Sequence, residues 1–528
     1  MRDFHAMGRS AVFAERGMCA TSHPLAAHTA ITLLQNGGNA VDAAIGAAIL
    51  LGFCEPHMTG LGGDMFAMIK PGDRADIVGL NASGRAPAAL DPAALRREGL
   101  TKIPENHVAA VTIPGAVDGF CRLHGDYGRL PLDQVLAPAI DYAQTGVPVA
   151  PRVAADWAES VGHLNGHARD LFSHNGTPYC VGDRFTAPGQ AEVLRRIARH
   201  GRAAFYEGEV AEDMRDSLRA LGGVHTAEDF AHTQCTYVTP IKTSYRGADL
   251  IELPPNGQGA VALLLTNILG HFDIAAMDPA GAPRAHLEAE ATKLAYDARN
   301  RFIADPDHTT RIPHMLAPET AAALAAKIDL SRAMANPAPL AESVHKDTVY
   351  LTVVDRDRMA VSMIYSIFAS FGAGVASNRF GILFHNRGSG FTLAQGHPNE
   401  AGGGKRPMHT IIPAMLREPG GNLMPFGVMG GPYQATGHAR FVSNVIDFGM
   451  TPQVAINGPR CFADAGLGEL RIERGYDAGV RNALAAMGHT PVIPKLPIGG
   501  AQAIRIDEKR GVFEGASDPR KDGIALGY

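Results

Sequence analysis

The sequence predicts a layered α/β domain, and two observations lead to that fold class. Period-2 alternation of apolar side chains marks strand pairs in two separate regions, residues 65–80 and residues 348–366. Long helical patterns precede and separate these regions. Helices that flank strand-rich segments bury their apolar faces against sheets, which gives a layered arrangement.

The first strand pair follows two predicted helices. Residues 25–35 show a helical pattern that ends at two glycines, and residues 39–51 form an alanine-rich helix with Asn39 as its N-cap. Residues 65–69 and 77–80 then form strands that pair across a Pro-Gly-Asp turn.

The middle of the chain is mostly helical. Residues 130–230 carry helical patterns, residues 251–253 form a short strand, and residues 285–301 form a helix. Residues 306–346 combine proline, alanine and charge without a sheet pattern, so we expect a mobile connector there.

The second strand pair is the most informative segment. Residues 347–355 read DTVYLTVVD and residues 359–366 read MAVSMIYS, with a charged three-residue turn between them. If Asp355 opposes Met359, Thr348 opposes Ser366 on the same face, and a slip of one residue would separate them. Because threonine is a common strand former, ordinary sheet packing is the alternative reading of this pair.

The composition of the chain limits the classes of partner and site that we expect. The chain has 528 residues, is 46% hydrophobic and has a formal net charge of −5, which argues against nucleic acid or an anionic membrane as a partner. The N-terminal residues lack the apolar core of a signal peptide, and no apolar run could span a bilayer. The six cysteines form no C-x-x-C pair, so we expect reduced cysteines in a cytoplasmic protein without a zinc site.

Glycine-rich blocks along nearly the whole chain carry a family resemblance. In order, they are GMCATSHPLA (17–26), GGNAVDAA (37–44), EPHMTGLGGDMF (55–66), VTIPGAVDG (111–119), FGAG (371–374) and the pair Gly430 and Gly431. Together with the second hairpin, this set resembles the γ-glutamyltransferase family of N-terminal-nucleophile hydrolases. The resemblance implies a four-layer αββα sandwich.

The resemblance also implies self-cleavage between Asp347 and Thr348. Residues 1–347 would become a large subunit and residues 348–528 a small one, folded together as one structural unit. Thr348 would be the nucleophile, with its freed α-amine as the base, because one residue then supplies both functions. Ser366 would hydrogen-bond that hydroxyl, and the backbone N–H groups of Gly430 and Gly431 would form the oxyanion hole. A solvent-facing strand serine and an ordinary glycine turn are the alternatives.

The substrate clamp departs from the family pattern. Ser83 stands where the transferases carry a key arginine, with Arg85 two places later. The other substitutions at clamp positions are Phe368, Arg387, Gly390, and the pair His409 and Thr410. The acid that would bind a substrate ammonium is replaced by glycine, while a guanidinium has been added. This pattern resembles the oxamate amidohydrolase branch and favours a small anionic acyl group without an α-amine.

We therefore predict substrate contacts at Arg387, His409, Thr410, Ser83 and Arg85. Each has a structural alternative, such as an ion pair for Arg85 or Arg387 and a hydrogen-bonded core position for His409. The predicted function is hydrolysis of a small acidic amide, with oxamate as the substrate that fits best. γ-Glutamyl transfer or glutathione hydrolysis is the first alternative, and a cephalosporin or glutaryl acylase the second. No cofactor is implied, and a homodimer of the processed heterodimer is the expected assembly.

Overall fold

The computed structural model describes residues 8–334, 348–464 and 466–528. The strands in these residues are, in chain order, β1 (Val12–Ala14), β2 (Gly17–Thr21), β3 (Asp64–Lys70), β4 (Val78–Ala82), β5 (Val147–Pro148), β6 (Arg184–Phe185), β7 (Thr236–Val238), β8 (Ile241–Tyr245), β9 (Ala248–Glu252), β10 (Val349–Asp355), β11 (Ala360–Ser366), β12 (Ala414–Arg417), β13 (Leu423–Met429), β14 (Cys461–Asp464), β15 (Glu469–Ile472), β16 (Pro491–Val492), β17 (Gly500–Asp507), β18 (Val512–Ser517) and β19 (Ile524–Gly527).

The α-helices surround these strands. They are α1 (Pro24–Gln35), α2 (Ala40–Cys54), α3 (Pro92–Arg97), α4 (Ala116–Tyr127), α5 (Leu132–Thr145), α6 (Pro151–Ser160), α7 (Gly166–Leu171), α8 (Pro188–His200), α9 (Ala203–Tyr206), α10 (Glu209–Ala220), α11 (Ala227–Ala231), α12 (Gly259–Leu269), α13 (Ala282–Phe302), α14 (Ile312–Met315), α15 (Pro318–Ala325), α16 (Tyr433–Ile446), α17 (Pro452–Asn457) and α18 (Ala478–Ala486). Short 3₁₀ helices lie at Val108–Ala110, Val161–His163, Ile274–Ala276, Pro306–His308 and Arg387–Gly390.

Two antiparallel sheets of seven strands form the centre of the molecule. The first has the order β1-β18-β17-β13-β12-β9-β8, and the second has the order β19-β2-β10-β11-β3-β4-β7. Helices α12, α13 and α16 pack with the first sheet, and helices α1 and α2 cover the second. The predicted four-layer αββα sandwich is therefore confirmed. Each sheet combines strands from before and after Thr348.

Strand β10 contributes side chains to the cores on both faces of the second sheet. Val349, Leu351 and Val353 belong to the core beneath helices α1 and α2. Tyr350 and Val354 point the other way, into the core shared with the first sheet. Successive side chains of a strand alternate between faces, so an unbroken apolar run buries both sides.

The N-terminal predictions are confirmed within one to three residues. Asn39 caps α2, and it exchanges hydrogen bonds with Asp42 in a capping box. Strands β3 and β4 pair as expected, with Met65 opposite Ala82.

The predicted connector, by contrast, has more regular structure than expected. Residues 306–325 contain one 3₁₀ turn and helices α14 and α15, each of which begins with a proline in its first turn. Residues 335–347 of the same stretch, including Asp347, lie outside the described residues.

Helix length and polarity also bear on membrane association. In the part of the chain that the structure describes, every helix is too short or too polar to cross a bilayer.

Candidate active site

The hairpin of β10 and β11 brings two hydroxyls together at its open end. Val349 opposes Tyr365 and Val354 opposes Ala360, which is the register expected from the sequence. The Thr348 hydroxyl donates to the Ser366 hydroxyl over 3.4 Å, and both side chains are buried. This distance exceeds an ordinary hydroxyl hydrogen bond, as is common for catalytic contacts before substrate binds.

The loop that follows Ser366 is held in an unusual backbone conformation. Phe368 and Phe371 have φ angles of 76° and 57°, a region that side chains other than glycine rarely adopt. The amide of Phe368 donates to the Ser366 hydroxyl over 2.8 Å, and the amide of Phe371 donates to the carbonyl of His57 over 2.9 Å. Such strain persists only where neighbouring contacts fix the backbone, and it clusters at functional sites.

Arg387 lies over this loop. Its guanidinium carbon is 3.9 Å from the centre of the Phe368 ring, and its Nη1 donates to the Thr410 hydroxyl over 3.1 Å. The side chain is buried, in the 3₁₀ turn Arg387–Gly390. The structure thus places two residues with predicted substrate contacts, Arg387 and Thr410, beside the ring that follows the hydroxyl pair.

His409 is enclosed by protein contacts. Its Nε2 is 3.2 Å from a carboxylate oxygen of Asp64, and its Nδ1 accepts from the amide of Ile411 over 3.3 Å. Burial, together with the positive charge of Arg387, lowers the pKa of His409 to about 3. The ring is therefore neutral and donates from Nε2 to Asp64. Both ring nitrogens are used inside the protein, so His409 positions its neighbours in this arrangement.

Asp64 connects several parts of the site, and it was not among the site residues predicted from the sequence. One carboxylate oxygen accepts from the amides of Gly84 (2.9 Å) and Gly115 (3.1 Å), and the other lies near His385 and His409. Burial alone would raise the pKa of Asp64, but the nearby His385 and the hydrogen bond from His409 hold it well below its usual range. The signal was the Gly-Gly-Asp end of the glycine block at residues 62–64.

Asp64 also lies next to the hydroxyl pair, because it is the cross-strand partner of Ser366. A fully hydrogen-bonded carboxylate on the adjacent strand fixes the position of the loops that carry Gly84 and Gly115. The carboxylate thereby joins the strand of Ser366 to the segment that contains Ser83.

Ser83 is buried in a polar network that includes a second unpredicted residue, Asn256. The Ser83 hydroxyl donates to Asn81 over 2.8 Å, and the Asn256 amide donates to Ser83 over 3.1 Å. The side chain of Arg406 donates to the Ser83 carbonyl over 2.9 Å.

Arg85 reaches this network through Asp305, whose carboxylate also accepts from the amide of Arg406. The Arg85 side chain is 42% exposed and pairs with Asp305 over 3.1 Å. The substrate contact at Arg85 therefore remains a prediction that this arrangement does not favour.

Gly430 and Gly431 form the link between strand β13 and helix α16. Their φ angles are 123° and 55°, a region that glycine adopts without the strain of a side chain. The side chain of Gln258 donates to the carbonyls of Thr410 (2.7 Å) and Gly431 (3.3 Å), so it joins the glycine turn to the segment that contacts Arg387. Backbone amides at such a turn are suited to bind an oxyanion when they converge on one point.

Comparisons with known proteins agree with this architecture. Residues 26–528 match the gamma-glutamyltranspeptidase family model. A glutathione hydrolase-like proenzyme, YwrD of Bacillus subtilis, is 34% identical over 98% of this chain and 99% of its own length. The oxamate amidohydrolase proenzyme of Klebsiella pneumoniae is 34% identical over 97% of this chain and 98% of its own length.

A solved structure is also similar to this chain. The cephalosporin acylase of Bacillus halodurans superimposes with a TM-score of 0.91 at 35% identity, and the match covers 100% of this chain and 98% of that one. The matched relatives are named as hydrolases of amide bonds and as proenzymes. This chain is therefore a hydrolase that belongs to the gamma-glutamyltranspeptidase family.

Proposed function

We propose that the chain cleaves itself before Thr348 and then hydrolyses small anionic amides that lack an α-amine. The observation that carries the proposal is the placement of Arg387. Its buried guanidinium lies over Phe368, two residues beyond the hydroxyl that contacts Thr348. An anionic acyl group bound there would be close to the nucleophile.

Cleavage between Asp347 and Thr348 would create the catalytic base. A peptide-bonded Thr348 has no basic amine, whereas a free N-terminal amine has a pKa of about 8 and can accept the hydroxyl proton. The hydroxyl would attack the amide carbon, and the amides at Gly430 and Gly431 would stabilise the oxyanion. Collapse would release the amine and leave an acyl-threonine ester, which water would hydrolyse.

Charge determines the substrate class that we propose. A carboxylate gains a charge-assisted, bidentate contact from a guanidinium, and the Thr410 hydroxyl lies 3.1 Å from the same group. Gly390 offers no carboxylate to a substrate ammonium, so an α-amine would lose water without gaining a counter-charge. Oxamate, with a carboxylate joined directly to an amide, is the substrate that we propose first. The relationship to an oxamate amidohydrolase supports that choice.

An acylase of the cephalosporin or glutaryl type is the second candidate. The 35% identity and TM-score of 0.91 with a cephalosporin acylase favour it. A glutaryl group also ends in a carboxylate without an α-amine, so it satisfies the same charge argument. γ-Glutamyl transfer or glutathione hydrolysis is the alternative that this charge argument disfavours.

The test compares kcat/KM for oxamate, a glutaryl amide and a γ-glutamyl anilide on one preparation of processed protein. We expect both anionic amides to exceed the γ-glutamyl compound. Arg387→Ala removes a charge-assisted contact worth about 1.5–3 kcal/mol, so kcat/KM for the preferred amide should fall by about 10–150-fold.

Arg85→Ala is the matched control, because it removes an arginine that pairs with Asp305 instead. It should leave the ranking of substrates unchanged. A preference for the γ-glutamyl anilide in the unmodified protein would refute the proposed substrate class.

A further inference from the structure

Three buried side chains away from the hydroxyl pair form a cluster that the proposed reaction does not use. His286, Glu290 and His489 each offer one ligand atom, and these atoms lie within 4.8 Å of one another. His286 and Glu290 are four residues apart on α13, so they share one helix face. His489 follows α18 and comes from the other side of the Asp347–Thr348 bond. We propose that these three residues bind a zinc ion.

The hydrogen bonds of the two histidines indicate which ring nitrogens can bind a metal. His286 Nε2 donates to the carbonyl of Asp329 over 2.8 Å, which leaves its Nδ1 as an acceptor. His489 Nε2 lies 2.7 Å from that Nδ1 and donates to it. A ring nitrogen that acts as an acceptor is the atom that can bind a metal.

The contact between His286 and Asp329 matches a feature of metal sites. A histidine ligand commonly donates its second ring nitrogen to a carbonyl or carboxylate, which fixes the tautomer and aims the other nitrogen at the ion. His286 is already held in this way. His489 would need only to move its proton from Nε2 to Nδ1, so neither imidazole has to lose a proton.

Distances between the ligand atoms fit a small ion. Ligand atoms about 2.0–2.2 Å from a tetrahedral zinc ion lie about 3.4 Å apart. The two histidine nitrogens are 2.7 Å apart, and His489 Nε2 is 3.9 Å from the Glu290 carboxylate. These two separations bracket the required value, and the third pair of ligand atoms lies within 4.8 Å, so small shifts of the side chains would be needed to complete the site. Two imidazoles and one carboxylate favour zinc over magnesium or calcium.

The cluster also has a route by which an ion could enter and a carboxylate that could balance the charge of the ion. His489 lines a cavity of about 240 Å³, together with Lys293, Asp464 and Glu469. Glu290 now pairs with the Lys293 ammonium over 2.7 Å, so an arriving ion would displace that ammonium from the carboxylate. Asp464 and Glu469 are paired with Arg471, so Glu290 is the carboxylate that would balance the charge of the ion.

Zinc in this cluster would connect segments on both sides of Thr348. Glu290 also accepts from the amide of Met334 over 2.8 Å, and Lys293 donates to the Met334 carbonyl over 3.0 Å. Met334 is the last described residue before Thr348. The ion would therefore hold α13, the segment at Met334 and the segment at His489 as one unit, and it would remain bound after the chain is cut.

Calorimetric titration of the full chain, stripped with a chelator, tests the proposal with zinc chloride as the probe. We expect saturable, stoichiometric binding and a higher melting temperature with zinc than with chelator. His489→Gln keeps an N–H donor towards His286 but removes the imidazole, and Glu290→Gln removes the carboxylate charge. Each should weaken zinc binding at least tenfold.

His271→Gln is the control, because that histidine is exposed and lies outside the cluster. Melting temperatures in chelator show whether each variant remains folded. Absence of stoichiometric binding by the unmodified chain would overturn the site, as would equal zinc affinity in the unmodified chain and in folded His489→Gln. Neither readout depends on turnover, so this result is separate from the test of the proposed reaction.

Discussion

The two ends of the β10–β11 hairpin differ in how their polar groups are held. At the turn, the Asp355 carboxylate accepts from the amides of Ala40 (2.9 Å), Asp357 (2.9 Å) and Met359 (3.0 Å). At the open end, Thr348 contacts Ser366 over a long 3.4 Å, and the backbone then enters a positive φ at Phe368.

The difference separates the end that fixes the structure from the end to which we assign the proposed chemistry. Three short hydrogen bonds to one carboxylate fix the register at the turn. That register determines which side chain faces Thr348 at the other end, about 20 Å away at the rise of a strand. The Ser366 hydroxyl instead contacts Thr348 and accepts from the amide of Phe368, at the start of the loop that carries the positive φ angles.

The largest effect is expected at the open end. Thr348→Ala removes the hydroxyl that both self-cleavage and turnover require, so both should be abolished. Gel electrophoresis would show an uncut chain, and the amide assay would show no activity. In the unmodified protein, N-terminal sequencing of the small fragment should read Thr-Val-Tyr-Leu.

Thr352→Ala is the matched control on the same strand. Its hydroxyl donates to the carbonyl of Val361 over 2.9 Å, within the sheet. The variant should cut and turn over normally. Cleavage or turnover in Thr348→Ala would disprove the assignment of the nucleophile.

Ser366→Ala should have the next largest effect. A hydroxyl partner of a nucleophile contributes about 1–3 kcal/mol, which corresponds to a rate loss of about 5–150-fold. Both cleavage and turnover should slow, as followed by timed gels and by kcat. Ser362→Ala, whose hydroxyl contacts Tyr350 over 2.8 Å, should slow neither. Equal rates in Ser366→Ala and the unmodified protein would separate Ser366 from the chemistry.

His409 should make the open end sensitive to acid. Its folded pKa of about 3 lies below the ordinary value of 6.5, so only the unfolded chain takes up this proton as the pH falls. The contribution of neutral His409 to the free energy of unfolding is fully present above about pH 6.5 and falls as the pH drops towards 3. At pH 5 the free energy of unfolding should be lower by about 2 kcal/mol.

Denaturant unfolding of the uncut Thr348→Ala chain would measure this loss. Adding His409→Gln, which cannot titrate but can still donate to Asp64, should flatten the decline between pH 7 and pH 5. His200→Gln, a change at an exposed position, should not. An unchanged decline in the His409 variant would contradict the buried neutral histidine.

Asp355→Asn, at the turn of the hairpin, should have the smallest effect, and that effect should be on stability. An amide donor would face the amide of Ala40, so we expect a loss of about 1–2 kcal/mol in the free energy of unfolding. kcat/KM should be unchanged well below the melting temperature. Asp357→Asn, at an exposed ion pair with Arg129, should change neither. A lower kcat/KM with unchanged stability in Asp355→Asn would show that the two ends are not separable.

The sequence predicts this hairpin because its information is local. Alternation over residues 347–366 and a three-residue turn suffice to place Thr348 opposite Ser366. The cap at Asn39 is similarly local, since its partner lies three residues away. In both cases the residues that interact are close in the chain, so the pattern itself contains the geometry.

The surrounding network could not be predicted in the same way. Asp64, His385 and His409 come from three distant segments, and only the packed sheets bring them together. Similarly, the spacing of the cysteines argued against a zinc site, whereas the proposed ligand His489 approaches α13 only in the folded chain. The helices in residues 306–325 of the predicted connector were not predicted, because they form against the core rather than from a long apolar period.

The mixed strand order of the second sheet has a consequence for synthesis on the ribosome. Strands β2 and β3 are made early, yet the two positions between them belong to β10 and β11, which emerge about 300 residues later. Until the hairpin has been made, β2 and β3 therefore each lack the strand that pairs with them at the centre of this sheet. Folding of this sheet must follow translation of the hairpin, so the proposed cut before Thr348 would occur in a molecule whose two central strands are already in place.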